Sequence, residues 1–344
     1  VIQRMEGQSV SYPTSSKLWL SALCNGWHTL ETPEVQKSDE DAGGAANFGR
    51  YMHAVAENEV LRRYWPERLT VIESKMTAEQ EAVFNPYYTE EIGAPMDAES
   101  WGASVVAIQD ELFKLLPPNS TSVEVELVVV NYGPEFSMSK AIHDIKSREY
   151  EKSDIQGSFG TLDLMYVSGT NLVVIDWKTG REHVSAENNP QLIHIAKAGL
   201  ELAKDDELAV DCVYVGIGDI RNQDLRLAKM SPDEVRGKWK AIAKNILSTT
   251  KLTPGVHCDR CPKAGNCPAI AKAVETAAHD LIHGNTVILN PDKMAEVAIM
   301  ARKLNKDYRD MLIHLAETDS KFKCRYLTKS PNGWRLSAFG AKNE

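Results

Sequence analysis

"GTLDLMYVSGTNLVVIDWKTG", residues 160–180, decides the fold. Two apolar runs flank Ser168-Gly169-Thr170-Asn171, a string of turn formers, so the stretch predicts a β-hairpin. Asp163 and Asp176 lie equally far from the turn, and a symmetric register sets them opposite each other. Cross-strand Cβ atoms sit about 5 Å apart, where like charges repel. Side chains alternate along a strand, so Val174, Asp176 and Lys178 share one face and Val173, Ile175 and Trp177 share the other, apolar one. Two readings follow. A divalent cation between the carboxylates would turn repulsion into binding, because hard cations take oxygen ligands. Alternatively the charged face is solvated, with Lys178 neutralising one Asp.

The chain around this hairpin has 344 residues, 25% of them charged and 43% hydrophobic, with a formal net charge of -9. That is an ordinary globular composition, long enough for one large domain or two smaller ones. The bulk charge does not advertise nucleic-acid binding, but a DNA site needs only a local basic path, and clustered carboxylates make a nuclease acidic. No apolar run is long enough to span a membrane, and the first residues lack the apolar core of a secretory signal. A cytoplasmic location, in the host cell if the protein is viral, is the expectation.

Working outward, residues 15–28 predict a short capped helix leading to Cys24, and residues 31–47, acidic and rich in Gly and Ala, predict a mobile loop. "FGRYMHAVAENEVLRRYW" predicts a helix with His53 and Glu57 one turn apart. A second helix is expected from about Ala98 to Leu116, then a strand at 122–130 with Glu124 and Glu126 on one face. After the hairpin, Asn189 can cap a helix with Pro190 at its first position. A buried-type strand over 209–219 and a helix over 232–249 follow, giving a mixed sheet flanked by helices. Residues 291–317 carry apolar side chains in steps of three and four, and such a helix more often packs on its own chain than forms a coiled-coil dimer. The tail 321–336 predicts a basic hairpin with a Pro-Asn-Gly turn.

Six cysteines are present. Cys258, Cys261 and Cys267 cluster in "HCDRCPKAGNCPAI", and such clustering reads as metal ligation before disulfide formation. Three thiolates need a fourth ligand. Four cysteines suit an iron–sulfur cluster. Zinc is the alternative, with His257 as fourth ligand and Cys24 as a core thiol. Cys212 lies in an apolar strand, and Cys324 has no evident partner.

Asp163 followed on the next strand by Asp176-Trp177-Lys178 resembles the signature of the PD-(D/E)XK nucleases. "FGRYMHAVAE" is similar to the His-bearing helix of the RecB-like branch, "GTLDLMYVS" and "VVIDWKTG" to its second and third motifs, and "NPQLIHIAKAGLEL" to its Gln-bearing helix. The lone Cys24 with the downstream triplet resembles the iron–sulfur staple of AddB-type and CRISPR-adaptation nucleases. The likeness covers about residues 15–270. It departs at Leu162, where the family usually has Pro, and at Ile195, where a tyrosine is expected.

The resemblance implies an α/β restriction-endonuclease-like core over 1–280, closed by a [4Fe-4S] staple on Cys24, Cys258, Cys261 and Cys267, with a C-terminal extension over 281–344. It implies His53, Asp163 and Asp176 as ligands of Mg²⁺ or Mn²⁺, and Glu124, favoured over Glu126, as a further carboxylate. Lys178 would place the attacking hydroxide and Gln191 would orient Lys178 or the water. The implied activity is metal-dependent hydrolysis of DNA from its ends, in phage-type replication or recombination. Because no G-x-x-x-x-G-K-[ST] loop is present, unwinding would fall to a helicase partner; a single-strand annealing protein is the other implied partner. A non-catalytic DNA-binding module and an RNA nuclease are the alternatives.

Overall fold

The computed structural model describes residues 12–30, 44–66, 98–119, 123–143, 150, 153–180, 183–248, 251–282, 291–318, 327–330 and 333–336. In chain order the elements are α1 (Leu18–Leu23), α2 (Gly44–Tyr64), α3 (Ala98–Leu115), β1 (Glu124–Tyr132), β2 (Met138–Ile142), β3 (Gly157–Ser168), β4 (Asn171–Lys178), α4 (Pro190–Asp205), β5 (Cys212–Asp219), β6 (Asp224–Met230), α5 (Pro232–Ser248), α6 (Pro268–Ile282), α7 (Pro291–Thr318), β7 (Leu327–Ser330) and β8 (Gly333–Leu336). They group into two compact units, Val1–Trp19 with Ser38–Ser248, and Leu20–Lys37 with Thr249–Glu344. This division falls at 248/249, and the cysteine-bearing turns pack on α7, which packs on α6.

The larger unit is an α/β layer structure around a six-stranded mixed sheet of order β2-β1-β3-β4-β5-β6. Every neighbouring pair is antiparallel except β4 and β5, which are parallel and joined through α4. A parallel pair needs such a crossover, and in open α/β sheets it sets a crevice at the carboxyl ends of the strands. The hairpin forms as expected, its ladder running from Ser168↔Asn171 to Leu164↔Ile175. Asn189 caps α4, its side chain accepting from the N–H groups of Gln191 at 3.0 Å and Leu192 at 3.4 Å. The cap and Pro190 together fix where Gln191 stands, and the cap contributes about 1 kcal/mol. Strands β2 and β6, which close the two edges of the sheet, have no counterpart in the sequence reading.

Both faces of the hairpin are covered. Val173, Ile175 and Trp177 join Leu164, Tyr166 and residues of α2 and α3 in one core. Val174 joins Leu162, Met165, Val167 and the apolar side of α4 in another. The solvated charged face allowed by the sequence is therefore absent: α4 covers it, and Asp176 is only 2% exposed.

Two adjacent strands change phase at one level. Val125 packs into the first core and Leu127 into the second, although residues two apart normally share a face. The same exchange separates Leu164 from Leu162 on β3. The ladder between these strands reads Val125↔Leu164, then Leu127↔Leu162, so Glu126 and Asp163 occupy the intervening level without pairing. Glu126 has φ 48°, a left-handed backbone conformation that a non-glycine residue adopts only at some cost.

In the smaller unit α7 packs on α6 and on the turns at 256–260 and 264–266. Met300 and Leu304 are buried there, while Met294 and Tyr308 from the predicted stripe are exposed. Packing on its own chain is thus the role α7 takes. The predicted loop at 31–43, the region 67–97, the Pro331-Asn332 turn and Cys324 lie outside the described residues, whereas Gly44–Asn47 begin α2. Among the described residues no helix is long and apolar enough to cross a membrane.

Gly218 tests this packing. A Cβ built there would lie 2.2 Å from the Trp177 ring across the β4–β5 pair. Gly218→Ala is expected to destabilise the protein by about 1–3 kcal/mol, read as a lower urea midpoint with an unchanged slope.

Candidate metal and catalytic site

The carboxyl end of β4 carries Asp176 and Lys178, and four other positions converge on it. The β3–β4 register, continued past Leu164↔Ile175, sets Asp163 opposite Asp176 where the ladder stops. Asp163 replaces the missing ladder bond: its Oδ2 accepts from the Trp177 N–H at 2.8 Å. Its Oδ1 faces His53 Nδ1 of α2 at 3.1 Å. On the other carboxylate, Gln191 Nε2 donates to Asp176 Oδ1 at 2.8 Å, and Lys178 Nζ lies 2.6 Å from Asp176 Oδ2. Lys178 Nζ also approaches Gln191 Oε1 at 3.4 Å. Five of the six residues expected from the sequence, His53, Asp163, Asp176, Lys178 and Gln191, thus form one connected network.

Glu124 stands at a different level. It begins β1 opposite Met165, whereas Glu126 is the β1 residue in register with Asp163, and it is exposed. Period-two alternation puts Glu124 and Glu126 on one face and gives no ground for choosing between them. The choice depends on the phase change, whose only sequence trace is a Glu interrupting an otherwise apolar strand. Ile195, at the position where the resemblance expects tyrosine, is buried against the sheet.

The electrostatics are those of a crowded site. Burial works against a charged His53, but the Asp163 carboxylate overrides it and holds the imidazole above its usual range. Burial likewise opposes the Asp163 charge, yet His53, the Trp177 N–H and Lys178 together keep that carboxyl below its ordinary value. Asp176 goes the other way: burial raises it, Lys178 only partly compensates, and Asp163 adds to the rise. Lys178 is held above its usual range because both carboxylates outweigh burial. Two like charges sharing a site push their titrations apart in this manner.

Among the described residues no three His, Cys, Asp or Glu side chains already stand as a closed metal cage. The donor chemistry nevertheless suits a hard cation. Asp176 Oδ2 is buried and pairs with the Lys178 ammonium at 2.6 Å, and Asp163 offers a second carboxylate at the same strand end. The two carboxylates suit Mg²⁺ or Mn²⁺, and the imidazole is a donor more typical of transition ions.

A second site lies in the smaller unit. Cys24, Cys258, Cys261 and Cys267 are all buried and free of disulfides. Burial pushes the Cys258 thiol up to about 11, opposed by the Gly255 N–H and reinforced by Cys261, Cys267 and Cys24. The four sulfurs therefore lie within electrostatic reach of one another. Backbone N–H groups address three of them: Thr253 donates to Cys24 Sγ and Gly255 to Cys258 Sγ, each at 3.4 Å, and Lys263 donates to Cys261 Sγ. Such bonds suit thiolate sulfur in a cluster or metal site. His257 Nε2 lies 2.9 Å from the Thr253 carbonyl. Cys212 is buried on β5, its thiol directed at backbone carbonyls.

The pH dependence of the metal-free protein follows from these directions. A histidine whose folded pKa is raised adds stability that is fully present below its unfolded value of about 6.5 and is lost as pH rises through the folded value. The stability gap between wild type and His53→Ala is expected to be largest near pH 5 and to shrink towards pH 9 in urea titrations with EDTA. The raised Asp176 carboxyl acts in the same direction at lower pH: stability is lost as pH rises from its unfolded value of about 3.9 through the folded value.

No curated protein matches the sequence. The family described as "Protein of unknown function (DUF2800)" matches residues 11–324, a span that contains both sites. With all but the two ends of its sequence inside that match, the chain belongs to the DUF2800 family.

Proposed function

We propose that the protein is a metal-dependent nuclease of the PD-(D/E)XK type that hydrolyses DNA from its ends, with a four-cysteine [4Fe-4S] staple. The observation that carries this reading is the network of His53, Asp163, Asp176, Lys178 and Gln191 at the carboxyl end of β4. His53, Asp163 and Asp176 would hold Mg²⁺ or Mn²⁺. The bound cation would supply Lewis-acid stabilisation of phosphate charge and acidify a water.

The chain's own residues divide the remaining work. Gln191 fixes Asp176 through Oδ1 and leaves Oδ2 facing Lys178. The Trp177 N–H fixes Asp163 through Oδ2 and leaves Oδ1 facing His53. Each carboxylate thus has one oxygen anchored by an uncharged N–H and the other paired with a basic side chain, which is preorganisation of the kind a charge-stabilising site needs. Lys178, with 29% of its side chain exposed, can offer its ammonium to a phosphate oxygen or a water. Both carboxylates keep it charged at neutral pH.

The four cysteines would hold the cluster, and its role would be structural. Residues 24 and 258–267 lie far apart in sequence but belong to one compact unit, so a shared cluster would staple them. A zinc ion on the same four thiolates is the competing occupant.

The test is digestion of end-labelled linear DNA and of circular DNA by anaerobically purified protein, with Mn²⁺, Mg²⁺ or EDTA. Iron, acid-labile sulfide and zinc are measured on the same sample. Expected are loss of linear DNA only when metal is added, survival of circles, and iron with sulfide in the protein. Asp176→Ala and Lys178→Ala are each expected to slow cleavage at least about a hundredfold while DNA binding persists. Cleavage of circles would make the enzyme an endonuclease. Binding without cleavage under every metal would replace the nuclease with a non-catalytic module.

A further inference from the structure

Lys263 stands between Cys261 and Cys267 and is only 8% exposed. Burying an ammonium is costly unless its donors and its charge are satisfied. The donors are satisfied. Nζ donates to the carbonyls of His28 at 2.9 Å and Leu30 at 2.6 Å, and it lies 5.8 Å from the centre of the Trp27 ring. These acceptors belong to the short turn that follows Cys24, where Trp27 N–H donates back to the Cys24 carbonyl at 3.3 Å. One side chain from the cysteine loop thus grips the segment that delivers the distant fourth cysteine.

Backbone bonds fasten the same segment as well, Gly26 N–H to the Lys251 carbonyl at 3.0 Å and Thr253 N–H to Cys24 Sγ at 3.4 Å. Lys263 is a side-chain fastening that a single substitution can remove.

We propose that Lys263 is the positioning residue of the four-cysteine site: it clamps the Cys24 segment onto the Cys258–Cys267 loop through the His28 and Leu30 carbonyls. This rests on reading the four cysteines as a ligand set. A guanidinium would fit the two carbonyls less closely, because its donors are held in a planar fork. A thioether of similar length would keep the packing and lose the clamp.

The experiment compares wild type, Lys263→Met and Lys263→Arg in two states. In reduced, metal-free protein, iodoacetamide alkylation of each cysteine is followed by peptide mass spectrometry. Cys24 is expected to react about tenfold faster in Lys263→Met, while Cys258 stays within about twofold of wild type. An unchanged Cys24 rate, or an equal rise at all four thiols, would overturn the clamp. In protein reconstituted anaerobically with iron and sulfide, Lys263→Met is expected to lose iron to a chelator about tenfold faster than wild type, with Lys263→Arg in between. An iron-release rate equal to that of wild type in Lys263→Met would overturn the role at the four-cysteine site. If wild type retains neither iron nor zinc, the ligand-set reading fails, and the alkylation result still decides the clamp.

Discussion

Two carboxylates and an ammonium are enclosed at the end of one hairpin, and much of the larger unit can be understood as the means of tolerating that. Like charges at adjacent strand ends cannot be left to water when α4 lies over one face and α2 over the other. Each carboxylate is therefore held by a dedicated donor, the Trp177 N–H for Asp163 and Gln191 for Asp176. The first donor exists because the β3–β4 ladder stops there. The second exists because Asn189 starts α4 at a fixed point, directly after the segment that leaves β4. The site is thus assembled from a strand end, a helix start and one turn of α2, all on regular elements whose rigidity comes from the cores behind them.

That arrangement explains what was legible in the sequence. The hairpin was readable because turn formers and β-branched runs specify their structure locally. The start of α4 was readable because a cap and a proline do so too. The convergence of His53, Asp163, Asp176, Lys178 and Gln191 was available from the motif pattern, since each sits at a fixed place on a predictable element. The coverage of both hairpin faces was not readable. Val174, Asp176 and Lys178 alternate like a half-exposed strand, and only the apolar side of α4, remote in sequence, shows that this face is sealed. Strands β2 and β6 were missed because edge strands carry short, mixed sequences such as "MSKAI" and "DLRLAKM" with no clear period.

The smaller unit follows a different logic. Its described core is modest, and its cysteine turns are short 3-10 pieces linked by i→i+3 backbone hydrogen bonds from Gly255 to Cys267. Buried thiols, a buried ammonium and a few backbone bonds hold the Cys24 segment to the loop at 258–267. Small folds of this kind commonly depend on a cross-link or a bound group for their cohesion.

The matched phase change at Glu126 and Asp163 has a consequence for how this sequence can vary. Upstream and downstream of that level, the two strands present opposite residues to the same layer. A single-residue deletion on either side would move one half of a strand out of step with its layer while leaving the other half correct. Length changes in β1 and β3 are therefore viable only in pairs that cancel. Point substitutions at apolar positions away from that level face no such restriction. Among proteins built on this plan, the spacing between Val125 and Leu127, and between Leu162 and Leu164, should vary less than the residues themselves.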